Sequence, residues 1–145
     1  MKRMWRKTLS VLMAVLVTVS VVSIQPANAD VEYFKFTDFS TSEASPTQVN
    51  SSTIEIAGTY NGIATDSITF KIQTIVNGSV AAELNGTGVS PVLEGTNGFR
   101  FSNVKLPGDG LNKITVMGKA SGNNVSAVAY VYYPNVPTIY NIKLV

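Results

Sequence analysis

From about residue 31 onward the chain alternates apolar and polar side chains with period two, and Gly, Asn, Asp, Ser or Pro interrupts the alternation about every ten residues. Side chains two apart share a face only in an extended strand, so this pattern commits the chain to short antiparallel strands. No stretch beyond residue 30 has helical spacing.

Residues 31–39 open with Phe34 and Phe36 on one face and give way to the polar run from Ser40 to Pro46, a strand followed by a loop. Residues 52–58 place Ile54 and Ile56 opposite Thr53 and Glu55, and Tyr60-Asn61-Gly62 supplies the turn. The clearest strand covers residues 66–76, with Ile68, Phe70, Ile72 and Val76 on one face, and it is expected in the middle of a sheet. Asn77-Gly78 then provides the two positive-φ residues of a type I′ turn, which folds residues 79–84 back antiparallel. Residues 86–98 hold only a short apolar patch, from Val89 to Leu93, which fits either a weak edge strand or a loop. Residues 98–104 bring Phe99 and Phe101 together, a tight corner spans residues 106–112, and residues 113–118 alternate again through Ile114 and Val116. After a turn over residues 121–124, residues 125–133 set Val128, Tyr130 and Tyr132 against Ala127, Ala129, Val131 and Tyr133. Seven strands and one ambiguous segment are the ingredients of an all-β, immunoglobulin-like two-sheet β-sandwich over residues 30–134.

The N-terminus has a different character. Lys2, Arg3, Arg6 and Lys7 precede an apolar run over residues 8–24, and Ala27-Asn28-Ala29 closes it with the small-residue pattern of a signal-peptidase site. Residues 1–29 are therefore expected to form a signal peptide, cut between Ala29 and Asp30. The competing reading, an uncleaved anchor, is disfavoured by Pro26 and by the Ala-x-Ala ending. Without the leader, seven of the eleven basic residues face all nine acidic ones, about −2 by formal count, which removes the electrostatic motive for binding nucleic acid or an anionic membrane. Export without any cysteine suits a bacterial protein, Gram-positive in particular, that is secreted or held at the cell surface or wall. The Asn-x-Ser/Thr triplets at Asn50, Asn77, Asn85 and Asn124 read as turn composition in that setting.

The segment from Ser52 to Gly122 resembles the bacterial immunoglobulin-like domains of secreted and surface-layer-associated proteins, and the accessory domain of glucodextranase-type enzymes. The likeness is carried by Ile54-Glu55-Ile56-Ala57-Gly58, by Gly98-Phe99-Arg100-Phe101, and by the corner Leu106-Pro107-Gly108-Asp109-Gly110-Leu111-Asn112 running into Lys113-Ile114-Thr115-Val116. In that corner the glycines supply backbone freedom and Asn112 can cap the turn through its side-chain amide. The resemblance implies a sandwich fold. Residues 135–145, where Ile142-Lys143-Leu144 echoes Phe34-Lys35-Phe36 after Pro134-Asn135-Val136-Pro137, are expected to be either a last edge strand or a linker into a further module.

Chemistry-bearing residue types are few. With neither histidine nor cysteine the chain lacks the commonest general base, the thiol nucleophile and most transition-metal ligand sets. Glu55, Asp66, Glu83, Glu94 and Asp109 fall at outward strand positions or in turns, so neither a catalytic pair nor any cofactor is expected. A calcium loop at Asp109 and Asn112 offers a single carboxylate, which turn chemistry explains better. Lys35, Lys71 and Lys113 alternate with apolar residues and should point outward, unlike the core lysine that some wall-bound sandwiches cross-link to asparagine. A sugar-stacking platform would have to come from Tyr60, Tyr130, Tyr132 and Tyr133, because the only tryptophan, Trp5, lies in the leader. The expected function is a non-catalytic spacer or docking module, with neighbouring domains, cell wall or extracellular polysaccharide as partners. The alternative is a carbohydrate-binding module.

Overall fold

The computed structural model describes residues 31–135; the expected leader, its cleavage site at Ala29 and Asp30, and residues 136–145 lie outside them. In chain order the strands are β1 (Phe34–Phe36), β2 (Thr47–Gln48), β3 (Thr53–Tyr60), β4 (Thr69–Val76), β5 (Ser79–Asn85), β6 (Val92–Glu94), β7 (Gly98–Lys105), β8 (Gly110–Ala120) and β9 (Asn123–Tyr133), with one 3₁₀ turn at Thr65–Ser67. They form a four-stranded sheet in the order β1-β3-β7-β6 and a five-stranded sheet in the order β2-β9-β8-β4-β5. The all-β, two-sheet expectation is met.

Alternation dictates which side chains fill the space between the sheets. Ile54, Ile56, Phe99, Phe101 and Val104 come from the four-stranded sheet, and Phe70, Ile72, Ile114, Val116, Ala129 and Val131 from the five-stranded one, all buried. Four phenylalanines link the layers edge to face: Phe34 meets Phe99 at 5.9 Å, Phe99 meets Phe101 at 6.2 Å, and Phe101 meets Phe70 of the opposite sheet at 4.8 Å. Gly86 lies against the last ring, where a Cβ would come within 2.6 Å of Phe70.

The tight turns follow their residue chemistry. Asn77 (φ 51°) and Gly78 (φ 75°) close the β4–β5 hairpin as expected for a type I′ turn. Ser121 (φ 49°) and Gly122 (φ 80°) do the same between β8 and β9, so Asn123 and Asn124 belong to the strand rather than to the turn.

Other boundaries also shift. The strand expected over 66–76 begins only at Thr69, because Thr65–Ser67 coils into the 3₁₀ turn. Val76, expected inside, is 49 % exposed at the hairpin tip, and the last buried position of that face is Thr74. The ambiguous 86–98 region resolves into the edge strand β6. The polar loop after β1 ends in a strand that alternation did not reveal: β2 runs parallel to the end of β9, and the amide of Val49 donates to the carbonyl of Tyr132 at 3.0 Å. In β7 an extra residue opposite Glu55 breaks the period. Asn103 takes up this bulge at φ 56°, which returns Val104 to the core three residues after Phe101.

Candidate functional site

The broad surface available for a partner is the outward face of the five-stranded sheet, and strand register fixes its pattern. At the end where β9 finishes, Tyr132, Leu111, Ile75 and Val80 lie in one row across β9, β8, β4 and β5. Tyr132 is 38 % and Val80 51 % exposed, whereas Leu111 and Ile75 are half-buried. Directly below runs a polar row of Tyr130, Lys113, Gln73 and Glu83, in which the Gln73 amide donates to Oε2 of Glu83 at 2.8 Å. Farther along, Ser67, Thr69, Met117, Lys119, Asn124 and Ser126 border an open groove of about 410 Å³.

The four tyrosines do not form one platform. Tyr130 and Tyr132 stand two residues apart on this outward face. Tyr133 takes the opposite side of β9 and packs on the core, and Tyr60 belongs to the other sheet, where it also packs on the core. Alternation separates Tyr132 from Tyr133 because neighbours on a strand face opposite ways. A sugar platform, if used, reduces to Tyr130 and Tyr132.

The carboxylates are dispersed. Asp66 and Asp109 are exposed in turns, and Glu83 is held by Gln73. Glu55 and Glu94 flank Arg100 on the outward face of the four-stranded sheet, with guanidinium-to-carboxylate distances of 3.1 and 2.8 Å. The 2.8 Å approach is made by Nε off the hydrogen-bonding direction, leaving Nε itself unbonded. The hydrogen bonds run instead from the terminal nitrogens, to Glu94 at 3.0 Å and to Glu55 at 3.2 Å. The Glu94 hydrogen bond and the two negative charges hold the Arg100 guanidinium above its ordinary pKa.

Asn112 and Asp109, weighed as calcium ligands, are not brought together. Asp109 is exposed, and Asn112 is fully buried. The Asn112 amide nitrogen donates to the carbonyls of Gly108 at 3.0 Å and Gly110 at 3.1 Å, while its oxygen accepts from the Thr74 hydroxyl at 2.7 Å. The expected turn cap is thus real, and it reaches across to β4 as well. Among the described residues no group of three or more acidic side chains converges. Lys35 is exposed and Lys71 and Lys113 are half-buried at outward positions, so none approaches the buried Asn112.

Two features escaped sequence reasoning. Thr74 continues the inward column of Ile68, Phe70 and Ile72, and a hydroxyl there was the available sign of a buried polar partner. The apolar row had no such sign, since it exists only once four strands are set in register.

In comparisons with protein-family models, curated proteins and solved structures, nothing matches this chain. Over its described residues the fold defines it as an all-β protein of two packed sheets.

Proposed function

We propose that the chain is an immunoglobulin-like sandwich serving as a non-catalytic structural or docking module of a secreted or wall-associated bacterial protein. The supporting observation is strand order. Lettered along the chain with β2 as an accessory to the first strand, β1-β3-β7-β6 reads A-B-E-D and β9-β8-β4-β5 reads G-F-C-C′, the two layers of an immunoglobulin-type sandwich. Immunoglobulin domains often pin the E-to-F corner with a tyrosine that bonds back to upstream backbone; here Asn112 makes the corresponding bond to Gly108. The export pattern of residues 1–29 and the dispersed, solvent-facing carboxylates support the remainder of the reading.

The test is an activity survey with the purified protein against glycoside, ester and peptide substrates. No turnover is expected. Turnover abolished by replacing a single carboxylate would overthrow the proposal.

A second reading, carbohydrate binding, is favoured by one arrangement, the side-by-side Tyr130 and Tyr132 on the outward face. Retention on insoluble polysaccharide or peptidoglycan that disappears with Tyr132→Ala and persists with Tyr60→Ala would establish it, because Tyr60 lies in the other sheet.

A further inference from the structure

The described residues contain four Asn-Gly steps: Asn61-Gly62, Asn77-Gly78, Asn85-Gly86 and Asn97-Gly98. Each sets an asparagine side chain beside the one residue type whose amide no side chain shields, so in an unfolded chain all four are open to the same reaction. The glycine nitrogen gives up its proton and attacks the asparagine Cγ, the new C–N bond closes a five-membered succinimide, and the side-chain nitrogen leaves as ammonia. Water from the solvent then opens the ring, at one carbonyl to give aspartate and at the other to give isoaspartate. No oxidant or reductant is consumed. Because glycine follows the asparagine in every case, the fold is what sets the four apart.

Two of the steps are held shut. The Asn85 side-chain oxygen accepts from the amide of Thr87 at 3.0 Å and from its hydroxyl at 2.6 Å, and the amide of the buried Gly86 donates to the carbonyl of Phe70 at 2.9 Å. The nitrogen that would attack is therefore already bonded, and the side chain it would attack is pinned. Gly98 belongs to β7, in register with Thr59 on one side and Glu94 on the other, and the carbonyl of Asn97 accepts from the amide of Tyr60 at 2.8 Å. Closing a ring there would disturb strand pairing on both sides. The other two steps are open. Asn77 and Gly78 form the exposed tip of the β4–β5 hairpin, and Asn61 and Gly62 the exposed turn after β3. Among the described residues neither Gly62 nor Gly78 donates a backbone hydrogen bond, and beyond the chain neighbours no atom lies within 4 Å of where a Cβ on either would stand.

We infer that Asn77 and Asn61 are sites of self-modification, at which the folded protein converts asparagine to aspartate and isoaspartate without an enzyme, and that pairing protects Asn85 and Asn97. The rate rises with pH, because the attacking form of the glycine amide is the deprotonated one. Each conversion adds one negative charge, so the two together take the formal count without the leader from about −2 to about −4. At Asn77 the new carboxylate lies at the tip of the hairpin that carries Ile75 and Val80, beside the apolar row. The inference does not depend on the docking reading.

The test expresses the full-length chain in an exporting bacterial host, purifies the form that accumulates, and keeps it folded in mildly alkaline buffer while samples are taken over weeks for peptide mapping by mass. The peptides holding Asn61 and Asn77 should each gain about one dalton, while those holding Asn85 and Asn97, which must wait for local opening, lag at least about tenfold. The same protein kept in guanidinium chloride should convert all four at similar rates, which assigns the difference to the fold. Asn77→Gly keeps a residue suited to positive φ at the first turn position, and it should remove one of the two early acidic forms on isoelectric focusing while conversion at Asn61 continues unchanged. Conversion of Asn85 or Asn97 at the pace of Asn77 in the folded protein overturns the inference. So does an Asn61 or Asn77 that keeps its amide when folded but loses it in the denatured chain.

Discussion

The two sheets place their polar contacts differently. The four-stranded sheet is aromatic inside, where Phe34, Phe99 and Phe101 interlock, and ionic outside, where Arg100 is held between Glu55 and Glu94. The five-stranded sheet carries a buried polar contact inside, the Thr74–Asn112 pair, and an apolar row beside a polar one outside. A buried hydrogen-bonded amide fixes geometry at the corner between the layers, whereas an outward apolar row adds little to folding and is available to a partner. Stability should therefore respond most to changes inside either sheet.

The largest effect is expected at Phe99, which is 1 % exposed and joins two of the three ring contacts. Phe99→Ala should cost about 3–5 kcal/mol in urea denaturation, from lost burial and the cavity left behind. A loss below about 1 kcal/mol would mean that the opposite layer collapses into the gap and that the ring chain does not define the four-stranded sheet.

Asn112→Ala comes next. It strands the Thr74 hydroxyl and the Gly108 and Gly110 carbonyls, and it should cost about 2–3 kcal/mol. Asn112→Asp sharpens the comparison, because a carboxylate cannot donate to the two carbonyls but its protonated form can donate to one. Burial without a counter-charge raises the folded-state pKa of such a group above its unfolded value of about 3.9, so the variant should be closest to wild type below about pH 4 and fall further behind as pH rises. Parallel stability profiles from pH 3 to 7 would show that the site is wetter than its burial implies.

These two sites differ in how plainly they could be read from the chain. Phe99 and Phe101 follow from strict alternation, and Asn77-Gly78 from the φ requirements of its turn, because in both cases the cause is local. Asn112 was legible as a turn cap but not as a core residue, since its burial depends on β4 bringing Thr74 alongside. Strand β2 was illegible because its two residues carry no apolar alternation and are held by pairing to β9 and by the Thr47 hydroxyl, which bonds to Ser40 and Asp38 across the preceding loop. Val104 follows the same logic: only the Asn103 bulge returns it inward. Of the candidate tyrosines, alternation alone separates Tyr133 from Tyr130 and Tyr132, whereas excluding Tyr60 required knowing which sheet each strand joins.

A smaller effect is expected at Gly86, which lets the Phe70 ring lie flat against the backbone. Gly86→Ala places a Cβ within 2.8 Å of three ring positions and should cost about 1–3 kcal/mol, measured by thermal or urea denaturation. Near-neutral behaviour would require the ring to swing, and that movement should appear as altered chemical shifts at Phe101, its partner in the opposite sheet.

The smallest effect belongs to Arg100, the most conspicuous ion pair on the surface. Its side chain remains well exposed, so solvent and the entropy of holding three long side chains offset most of the Coulomb gain. The direction of its pKa makes a pH test possible. A guanidinium raised above its unfolded value contributes stability that is complete below that value and is lost only as pH rises through the folded one, beyond the working range. Arg100→Ala should therefore shift the urea midpoint slightly, by an amount that is constant from pH 6 to 9 and shrinks as salt approaches about 1 M. A large shift, or one insensitive to salt, would show that the guanidinium stem packs over β3 and β6 and that the outer face of the four-stranded sheet contributes to folding through contact rather than charge.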